Sequence, residues 1–205
     1  MGGSKISTKI SIIKNLSKKM SSIAICGGMA NSFIAFNGNE IGASLAEENV
    51  NKEIEEIYNY SNENDCQIIL PSDASVAPKL DPDINFAVKK IDGLNSSDMI
   101  LDIGPVSTKD LKEVISNSKT VFWNGPPGVF EVEPFNKATI EIANHIADLT
   151  SAGKIQSFAG GGDTVAAIEM AGVKEKFTYI STGGGALLEL LEGKQLPGLV
   201  SQNIL

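Results

Sequence analysis

The glycine-rich stretch 160–164, Gly-Gly-Gly-Asp-Thr, constrains the fold more than any other part of this sequence. It follows the apolar run 155–159 and precedes residues with helical spacing. A strand, a glycine loop and a helix in this order let bare backbone N–H groups and a helix N-terminus face a phosphate. The carboxylate of Asp163 is then well placed to hold a metal ion that accompanies phosphates. A helix cap is the alternative role for Asp163, and the stretch taken alone favours the cap.

Glycine loops of the same kind recur at 27–28, 125–128 and 183–185, each directly after an apolar run. The runs do not alternate polar and apolar residues, which is typical of parallel strands buried on both faces. We therefore predict an α/β fold with a doubly wound, mainly parallel sheet of about six strands and helices on both faces, as in Rossmann-like domains. Residues 1–205 are expected to form a single nucleotide-binding domain with an irregular tail at 196–205.

The recurrence of these loops indicates a shared ligand. Ligands of open parallel sheets bind at the carboxyl ends of the strands, where every one of these glycine loops is expected to lie. The loops should therefore line one rim, which favours an anionic, nucleotide-like ligand. In that setting Asp163 becomes a candidate magnesium ligand rather than a helix cap.

Apolar residues at helical spacing across 6–20 predict a helix that starts near Ser4, directly after a Gly-Gly pair. Lys5 and Lys9 would then lie about one turn apart on one face. Like charges at this spacing repel each other, and cations near a helix N-terminus oppose the helix dipole. An anion bound between the two lysines would remove the conflict; two solvated lysines are the alternative.

Four helix boundaries are predicted, at Gly38, Gly153, Ser44, and either Ser107 or Thr108. The two glycines would end their helices, and the hydroxyl residues would begin the helices that follow them. Residues 73–96 are less regular and predict a small excursion, in the form of a hairpin, between strands of the main sheet. His145, the only histidine, lies beside an apolar helical stripe and is expected to have a packing or surface role.

Composition argues against several classes of function. The net charge is −8 and no long basic stripe exists, so nucleic acid is not an expected partner. No apolar run approaches the roughly 20 residues of a membrane helix, and no secretory leader is expected. Two cysteines without CxxC spacing indicate a reduced, cytoplasmic setting, and we expect a monomer. The chain has no arginine, so it offers no bidentate guanidinium clamp for a small anionic substrate.

The type of nucleotide chemistry follows from which motifs are present. No GxxxxGK[ST] motif occurs, so the chain is not a P-loop NTPase. A dinucleotide-dependent oxidoreductase remains an alternative, but its GxGxxG fingerprint is missing. Lysines, glycine amides and a metal-binding aspartate at a sheet rim fit phosphoryl transfer, where catalysis is mainly positioning and charge neutralisation.

Seven short motifs together resemble phosphoglycerate kinase, in the order that this family has them: GGSKISTK at 2–9, GGMAN at 27–31, IGASL at 41–45, LDIGP at 101–105, WNGPPGVFE at 123–131, GGGDT at 160–164 and STGGGA at 181–186. Each motif alone is weak, whereas the combination is highly specific. The resemblance spans 2–194 and covers only the C-terminal, nucleotide-binding half of the family.

The resemblance implies a role for each matching residue in the binding of ATP or ADP. The adenine slot would be formed by Gly2, Gly3, Gly27, Gly28, Leu45 and Leu101. Asn124 and Pro126 would lie along the nucleotide, and Glu131 would bind the ribose hydroxyl groups.

The phosphate end of the site is implied in the same way. Lys9 would hold nucleotide phosphate, and Thr164 would contact it. Backbone amides of Gly161 and Gly162 would also face phosphate, and Asp163 would bind Mg²⁺. Lys5 would guide the phosphoryl group during transfer. Gly183, Gly184 and Gly185, at a helix N-terminus, would form the anion site that receives it.

The implied activity is glycolytic phosphoryl transfer between 1,3-bisphosphoglycerate and ADP, which gives 3-phosphoglycerate and ATP. Phosphoglycerate would bind only if an N-terminal domain were supplied, because the family's arginine- and histidine-rich patch is not in this chain. The family strand that precedes Gly2 is also missing, and its loss is expected to expose neighbouring strand edges. Cys26 and Pro127 are smaller departures from the family pattern.

Two readings of this half-enzyme remain open. In the first, the chain carries the intact nucleotide site, binds Mg-ATP or Mg-ADP weakly and does not turn over alone. In the second, it is a degenerate, non-catalytic binding or interaction module that folds poorly. The retention of Lys5, Lys9, Glu131 and Asp163 favours the first reading.

Overall fold

The computed structural model of the chain describes residues 1–181, 183, 187, 189 and 191–193. Two predicted site residues, Gly184 and Gly185, and the predicted tail at 196–205 lie outside these described residues. Within them no helix is long and apolar enough to cross a membrane. Cys26 and Cys66 are both free thiols and both buried.

Strands and helices alternate along the described part of the chain. The strands are β1 (Ser22–Ala24), β2 (Gln67–Ile69), β3 (Asp73–Ala77), β4 (Ala87–Lys90), β5 (Met99–Ile103), β6 (Thr120–Trp123), β7 (Gln156–Gly160) and β8 (Tyr179–Ser181). The α-helices are α1 (Ile10–Ser17), α2 (Gly27–Phe36), α3 (Asn51–Glu63), α4 (Pro105–Ser116), α5 (Lys137–Ser151) and α6 (Gly162–Met170). Two short 3₁₀ helices cover Ile91–Gly93 and Lys174–Lys176.

The strands form two parallel groups and one antiparallel group. β1 pairs with β2 in parallel, and β6, β7 and β8 pair in parallel in that order. The α/β class with parallel sheets is therefore confirmed. The described residues contain eight strands, which are about six predicted for the main sheet and the two of the predicted hairpin.

The antiparallel group consists of β3, β4 and β5. β3 and β4 form the hairpin predicted within 73–96, with Asp73 opposite Lys90. β5 also pairs antiparallel with β3, although its apolar sequence had predicted a strand of the main parallel sheet. An apolar run shows that a strand is buried, but it carries no information about the direction of its neighbour.

Three predicted helix starts were wrong because tertiary contacts replace local caps. α1 begins at Ile10 rather than near Ser4, so Lys5 lies before the helix. α3 has Val50 at its N-cap, while the hydroxyl of Ser44 accepts a hydrogen bond from Ile100 N–H at 2.9 Å.

The third wrong start is that of α4, which neither Ser107 nor Thr108 caps. The N-cap of α4 is Gly104, and Pro105 occupies its first turn. The carboxylate of Asp73 in β3 accepts from the backbone N–H groups of Val106 and Ser107, at 3.0 and 2.7 Å. A cap supplied by another strand cannot be read from the sequence around the helix. The predicted helix ends are confirmed, with Gly38 and Gly153 at positive φ just past α2 and α5.

Candidate functional site

Three of the predicted glycine loops meet directly through their backbones. The N–H of Gly2 donates to Asn124 C=O at 2.9 Å, and that of Gly27 donates to Pro127 C=O at 3.1 Å. Met29 N–H donates to Gly3 C=O at 2.9 Å. The loops at 2–3, 27–28 and 124–127 therefore form one connected rim.

Gly2 and Gly125 are glycines because their backbones touch. A Cβ atom on Gly2 would lie 2.0 Å from Pro126 O, and one on Gly125 would lie 2.4 Å from Gly2 O. Gly125 also has φ +90°, which side chains rarely adopt. Gly2 is buried in this contact and does not line the cleft described next.

An open cleft lies along this rim, with about 1220 Å³ of empty space including the part open to solvent. Eight residues predicted for the nucleotide site line it: Gly3, Gly27, Gly28, Leu45, Leu101, Pro126, Glu131 and Asp163. The walls thus combine apolar side chains, backbone and the two exposed carboxylates of Glu131 and Asp163, the mixture that small-molecule sites use.

The apolar part of the cleft contains the predicted Leu45 and Leu101 together with Leu80 and Met99, which sequence reasoning missed. Leu45 and Leu80 line it with 65% and 46% of their surface exposed, and Met99 lies beside Leu101 in the same wall. Asn31, which is buried in α2, donates from Nδ2 to Leu45 C=O at 2.8 Å and so holds the Leu45 segment over the cleft. Leu80 lies in an irregular segment, where no local pattern signals a role.

The side chain of Asn124 connects two loops to Lys9. Its Oδ1 accepts from Lys9 Nζ at 2.6 Å, and its Nδ2 donates to Gly160 C=O at 2.7 Å. Lys9 Nζ also donates to Gly2 C=O at 2.6 Å. The ammonium group is thereby fixed between the 2–3 loop and the loop that follows β6.

Burial lowers the pKa of Lys9 to about 8, and the negative charge of Asp163 opposes this shift. The hydrogen-bond acceptors of Lys9 are neutral oxygens, so its charge is only partly compensated. A phosphate group near Nζ would supply the missing negative charge, since charge-assisted hydrogen bonds are the strong ones.

The start of α6 presents free backbone donors. Its N-cap is Gly161, with φ +99° and no side-chain cap, and the first helical bond is from Val165 N–H to Gly161 C=O at 3.0 Å. The N–H groups of Gly162, Asp163 and Thr164 therefore have no partner within the helix. Asp163 lies in the first turn and lines the cleft, so its alternative role as the N-cap is excluded.

Thr164 has a different environment from the one predicted for a phosphate contact. Its side chain is fully buried, and its hydroxyl oxygen accepts from Gly125 N–H at 2.6 Å. Thr164 therefore joins the start of α6 to the loop after β6, and its side chain does not line the cleft.

Lys5 and Lys9 do not form the predicted pair on one helical face. Lys9 is the N-cap of α1, and residues 7–9 form a turn before it. Lys5 is exposed. Hydrogen bonds from Ser7 lower the pKa of the Glu47 carboxylate, and the charge of Lys5 makes a smaller contribution in the same direction. Ser7 N–H donates to Glu47 at 3.0 Å, which fixes the loop that carries Lys5. The two lysines thus occupy separate environments.

Asp102 is a buried carboxyl group in the wall of the cleft. It accepts from the N–H groups of Ile103 and Ala138, at 2.9 and 3.0 Å, and a Cβ on Gly128 would lie 2.2 Å from its Oδ1. Burial raises the pKa of Asp102 to about 8, although both backbone hydrogen bonds act in the opposite direction. Asp102 therefore connects β5 to the start of α5 beneath the loop 125–131.

Three further predicted residues, Glu131, His145 and Gly183, are described by the structure. Glu131 is exposed at the cleft. The C=O of Gly183 accepts from Leu187 N–H at 3.0 Å. His145 bonds Ser116 at 2.8 Å on the surface between α4 and α5, away from the cleft.

The donor set suits a magnesium ion that arrives with phosphates. Among the residues that the structure describes, no group of three or more His, Cys, Asp or Glu residues could hold a metal. Mg²⁺ is commonly held by one or two carboxylates together with substrate phosphates and water, rather than by an all-protein cage. A single exposed carboxylate at Asp163, beside free amides and Lys9, fits that arrangement.

Comparison with known proteins agrees with this geometry. The family model for phosphoglycerate kinase matches residues 1–194. A phosphoglycerate kinase of Caulobacter vibrioides is 46% identical over 201 residues, which cover 98% of this chain and 51% of the relative. That of Agrobacterium fabrum is 46% identical over 199 residues, with 97% and 50% covered. The chain thus spans about half the length of the curated relatives it matches.

Solved structures agree with these relatives. The phosphoglycerate kinase of Coxiella burnetii superimposes with a TM-score of 0.89 at 38% identity, covering 94% of this chain and 49% of that one. The enzyme of Pyrococcus horikoshii gives a TM-score of 0.78 at 28% identity, with 99% and 50% covered. The chain belongs to the phosphoglycerate kinase family.

Proposed function

We propose that this chain is the nucleotide-binding half of a phosphoglycerate kinase and binds ADP or ATP with Mg²⁺ in the cleft. One observation carries the proposal: the loops at 2–3, 27–28 and 124–127 and the start of α6 lie around one cleft, which Asp163 lines, and the ammonium group of Lys9 is held at the 2–3 loop, where it senses the charge of Asp163. Amides, an ammonium group and a carboxylate are the groups that recognise Mg-nucleotide phosphates.

The cleft has an apolar end and a polar end, which orient a nucleotide. Leu45, Leu80 and Leu101 form an apolar slot that fits a flat base, since the faces of a base pack well against apolar side chains. Glu131 is exposed at the cleft and is assigned to the ribose hydroxyl groups. The phosphates then point toward the start of α6.

The phosphate end of the cleft supplies the positive charge that phosphoryl transfer requires. Phosphoryl transfer is catalysed mainly by positioning and by neutralising charge on the phosphate oxygens. Lys9 is held rigidly by Asn124, and the free amides of α6 add the positive end of a helix dipole. Asp163 would hold Mg²⁺, which when bound neutralises nucleotide phosphate charge. Lys5, with Gly183, Gly184 and Gly185, is assigned to the phosphoryl group in transfer.

The complete reaction needs a second substrate site. We propose that the parent activity is transfer of a phosphoryl group between 1,3-bisphosphoglycerate and ADP, in the cytoplasm. The chain has no arginine, and its described residues offer no dense cationic patch at the cleft. We therefore expect nucleotide binding without turnover when this chain is alone, as a monomer.

Isothermal titration of the chain with Mg-ADP tests the binding step. We expect saturable heat with a weak affinity, because these 205 residues span only about half the length of the relatives they match. NADH is the matched control ligand, since it shares the adenosine diphosphate moiety and adds a nicotinamide that an oxidoreductase would recognise. No heat at millimolar Mg-ADP would contradict the proposal and favour the degenerate module; tighter binding of NADH would favour the oxidoreductase.

A coupled assay with 3-phosphoglycerate and Mg-ATP tests the second step. The purified chain should show no turnover above a sample without protein. Turnover that is lost in the Lys9→Met variant would show that the chain carries both substrate sites, contrary to the proposal.

A further inference from the structure

The side chain of Glu47 joins two segments that are 40 residues apart in the sequence. Ser7 N–H donates to Glu47 Oε2 at 3.0 Å, and the Ser7 hydroxyl donates to Oε1. Both carboxylate oxygens are therefore used on one residue of the turn before α1. Hydrogen bonds to an ionised group are the strong ones, so this contact ties the turn to the segment that carries Glu47.

The backbone of the same segment is attached to α2. Glu47 N–H donates to Ser32 Oγ at 2.9 Å, and Asn31 Nδ2 donates to Leu45 C=O at 2.8 Å. Asn31 and Ser32 are both buried in α2, which begins at the rim of the cleft. The segment 45–47, called the bridge below, therefore connects α2 to the turn before α1.

Each end of the bridge leads to a part of the proposed nucleotide site. Leu45 lines the apolar slot of the cleft and is 65% exposed. The turn at the other end carries Lys5, and Lys9 ends it as the N-cap of α1. Glu47 thus connects the slot proposed for the base to the lysines proposed for the phosphates.

The turn before α1 is closed by its own hydrogen bonds. Lys9 N–H donates to Ile6 C=O at 2.7 Å, and the Thr8 hydroxyl donates to Lys5 C=O at 3.0 Å. The side chain of Ile6 is fully buried and anchors the inner side of the turn, whereas Ser7 is exposed. A contact made at Ser7 therefore positions the whole turn.

The charge of Glu47 argues for a positioning role rather than a contact with phosphate. Partial burial raises the pKa of this carboxyl group, but hydrogen bonds from Ser7 and Ile6 and the charge of Lys5 outweigh it and hold the pKa below its usual value. Glu47 is therefore ionised at neutral pH and would repel a phosphate group. It also does not line the cleft.

We propose that Glu47 is a positioning residue for nucleotide binding, which holds the lysines of the turn at a fixed distance from the base slot. This role rests on the proposed function, to which it adds a residue that lies outside the cleft. A site whose two halves are held in register binds a linked ligand more tightly than its separate parts predict, because the second part binds at a high effective concentration. Without Glu47 the register loosens, so the linked ligand loses affinity while each part binds as before.

Chemical-shift titration by NMR, which measures millimolar affinities, compares Mg-ADP with its two parts, adenosine and Mg-methyl diphosphate. The linkage ratio is the affinity for Mg-ADP divided by the product of the affinities for the two parts. A change of charge at Glu47 alters the binding of Mg-ADP and of Mg-methyl diphosphate alike, and so cancels in this ratio. We expect Glu47→Ala to lower the linkage ratio about fivefold and to change the affinity for adenosine less than about twofold.

The variant Ser7→Ala tests whether Glu47 acts through the turn. It removes one of the two hydrogen bonds to Glu47 and keeps the backbone one, so it should lower the linkage ratio less than Glu47→Ala does. The double variant should show no lower ratio than Glu47→Ala alone, since the two residues act through one contact. Losses that add would show that Glu47 acts by another route and would overturn the proposal.

Glu48→Ala is the matched control, because it removes the same charge at the next, exposed position of the chain. Its linkage ratio should equal that of the natural chain. An unchanged ratio in Glu47→Ala, or an equal fall in Glu48→Ala, would overturn the positioning role. Weaker binding of both parts with an unchanged ratio would likewise assign Glu47 to general folding.

Two outcomes separate this role from the proposed function. If the natural chain binds Mg-ADP and the linkage ratio does not depend on Glu47, only the positioning role is wrong. If the natural chain does not bind Mg-ADP at millimolar concentration, the proposed nucleotide site is wrong and the positioning role fails with it.

Discussion

The ammonium group of Lys9 donates a 2.6 Å hydrogen bond to the side-chain oxygen of Asn124, a residue 115 positions away in the sequence. Asn124 in turn donates to Gly160 C=O at 2.7 Å. This chain of bonds fixes the only strongly shifted side-chain amine among the described residues between three glycine loops. The contact holds the long, flexible side chain of Lys9 in one place, as the proposed role of Lys9 in binding nucleotide phosphate requires.

Lys9 makes the affinity for Mg-ADP depend on pH. Its pKa is about 8 without nucleotide, and a bound phosphate should raise it, so binding above pH 8 requires proton uptake. We expect the affinity to fall about twofold between pH 7 and 8 and by at most about tenfold per pH unit above pH 8. Lys9→Met should weaken binding by roughly 10- to 100-fold at pH 7 and flatten the pH profile.

Isothermal titration at pH 7, 8 and 9 measures both effects. Lys14→Met is the control, because Lys14 pairs with Glu56 on the surface and does not line the cleft. Parallel pH profiles for the natural chain and Lys9→Met would show that another group binds the phosphate.

Gly161 and Gly162 should respond oppositely to substitution by alanine. Gly161 has φ +99°, and a Cβ there would lie 2.8 Å from Asn124 Nδ2, so Gly161→Ala combines backbone strain with displacement of Asn124. We expect a loss of about 1–3 kcal/mol in the free energy of unfolding. Gly162 has no atom within 4 Å of its Cβ position, and as a helical residue it should gain up to about 1 kcal/mol from alanine. Urea denaturation measures both, and equal losses would refute the strain argument.

Much of the site could be predicted from the sequence, because strand–glycine–helix patterns are local signals. Gly161 and Gly162 were placed at the start of a helix after a buried strand, and that is where they lie. The same local reasoning failed for Ser107, whose partner Asp73 is 34 residues away. It also failed for the start of α1, since apolar spacing continued through a turn that only tertiary contacts define.

The relative direction of two paired strands and the residue that caps a helix both depend on segments that are distant in the sequence. Apolar β5 has the composition of a parallel core strand, yet it pairs antiparallel with β3. Leu80 lies in the cleft wall, but nothing in the sequence around it indicates this. An exposed leucine suggests a binding site only when the structure shows that it lines the same cleft as Leu101. The role of a residue that acts through a distant contact can therefore be identified only from the structure.

Asp163 should determine how strongly magnesium supports nucleotide binding. Asp163→Asn keeps the size of the side chain at the start of α6 but removes the charge, so the gain in ADP affinity on adding Mg²⁺ should fall at least about tenfold. Glu131→Gln removes the other exposed carboxylate of the cleft and should weaken ADP binding to a similar degree with and without Mg²⁺. Titrations with and without EDTA compare the two. An unchanged Mg²⁺ dependence in Asp163→Asn would exclude it as the ligand.

Asp102 should make the fold less stable as the pH rises. Its pKa is about 8 in the folded chain against an ordinary value of 3.8, so the folded state binds more protons than the unfolded state between these values. The free energy of unfolding then falls with increasing pH across this window, by at most about 1.4 kcal/mol per unit from this group. The side chain in Asp102→Asn cannot ionise, so the free energy of unfolding of this variant should change less between pH 5 and 8. Asp110→Asn, an exposed change on α4, should keep the slope of the natural chain. Identical slopes for Asp102→Asn and the natural chain would show that Asp102 stays ionised when buried.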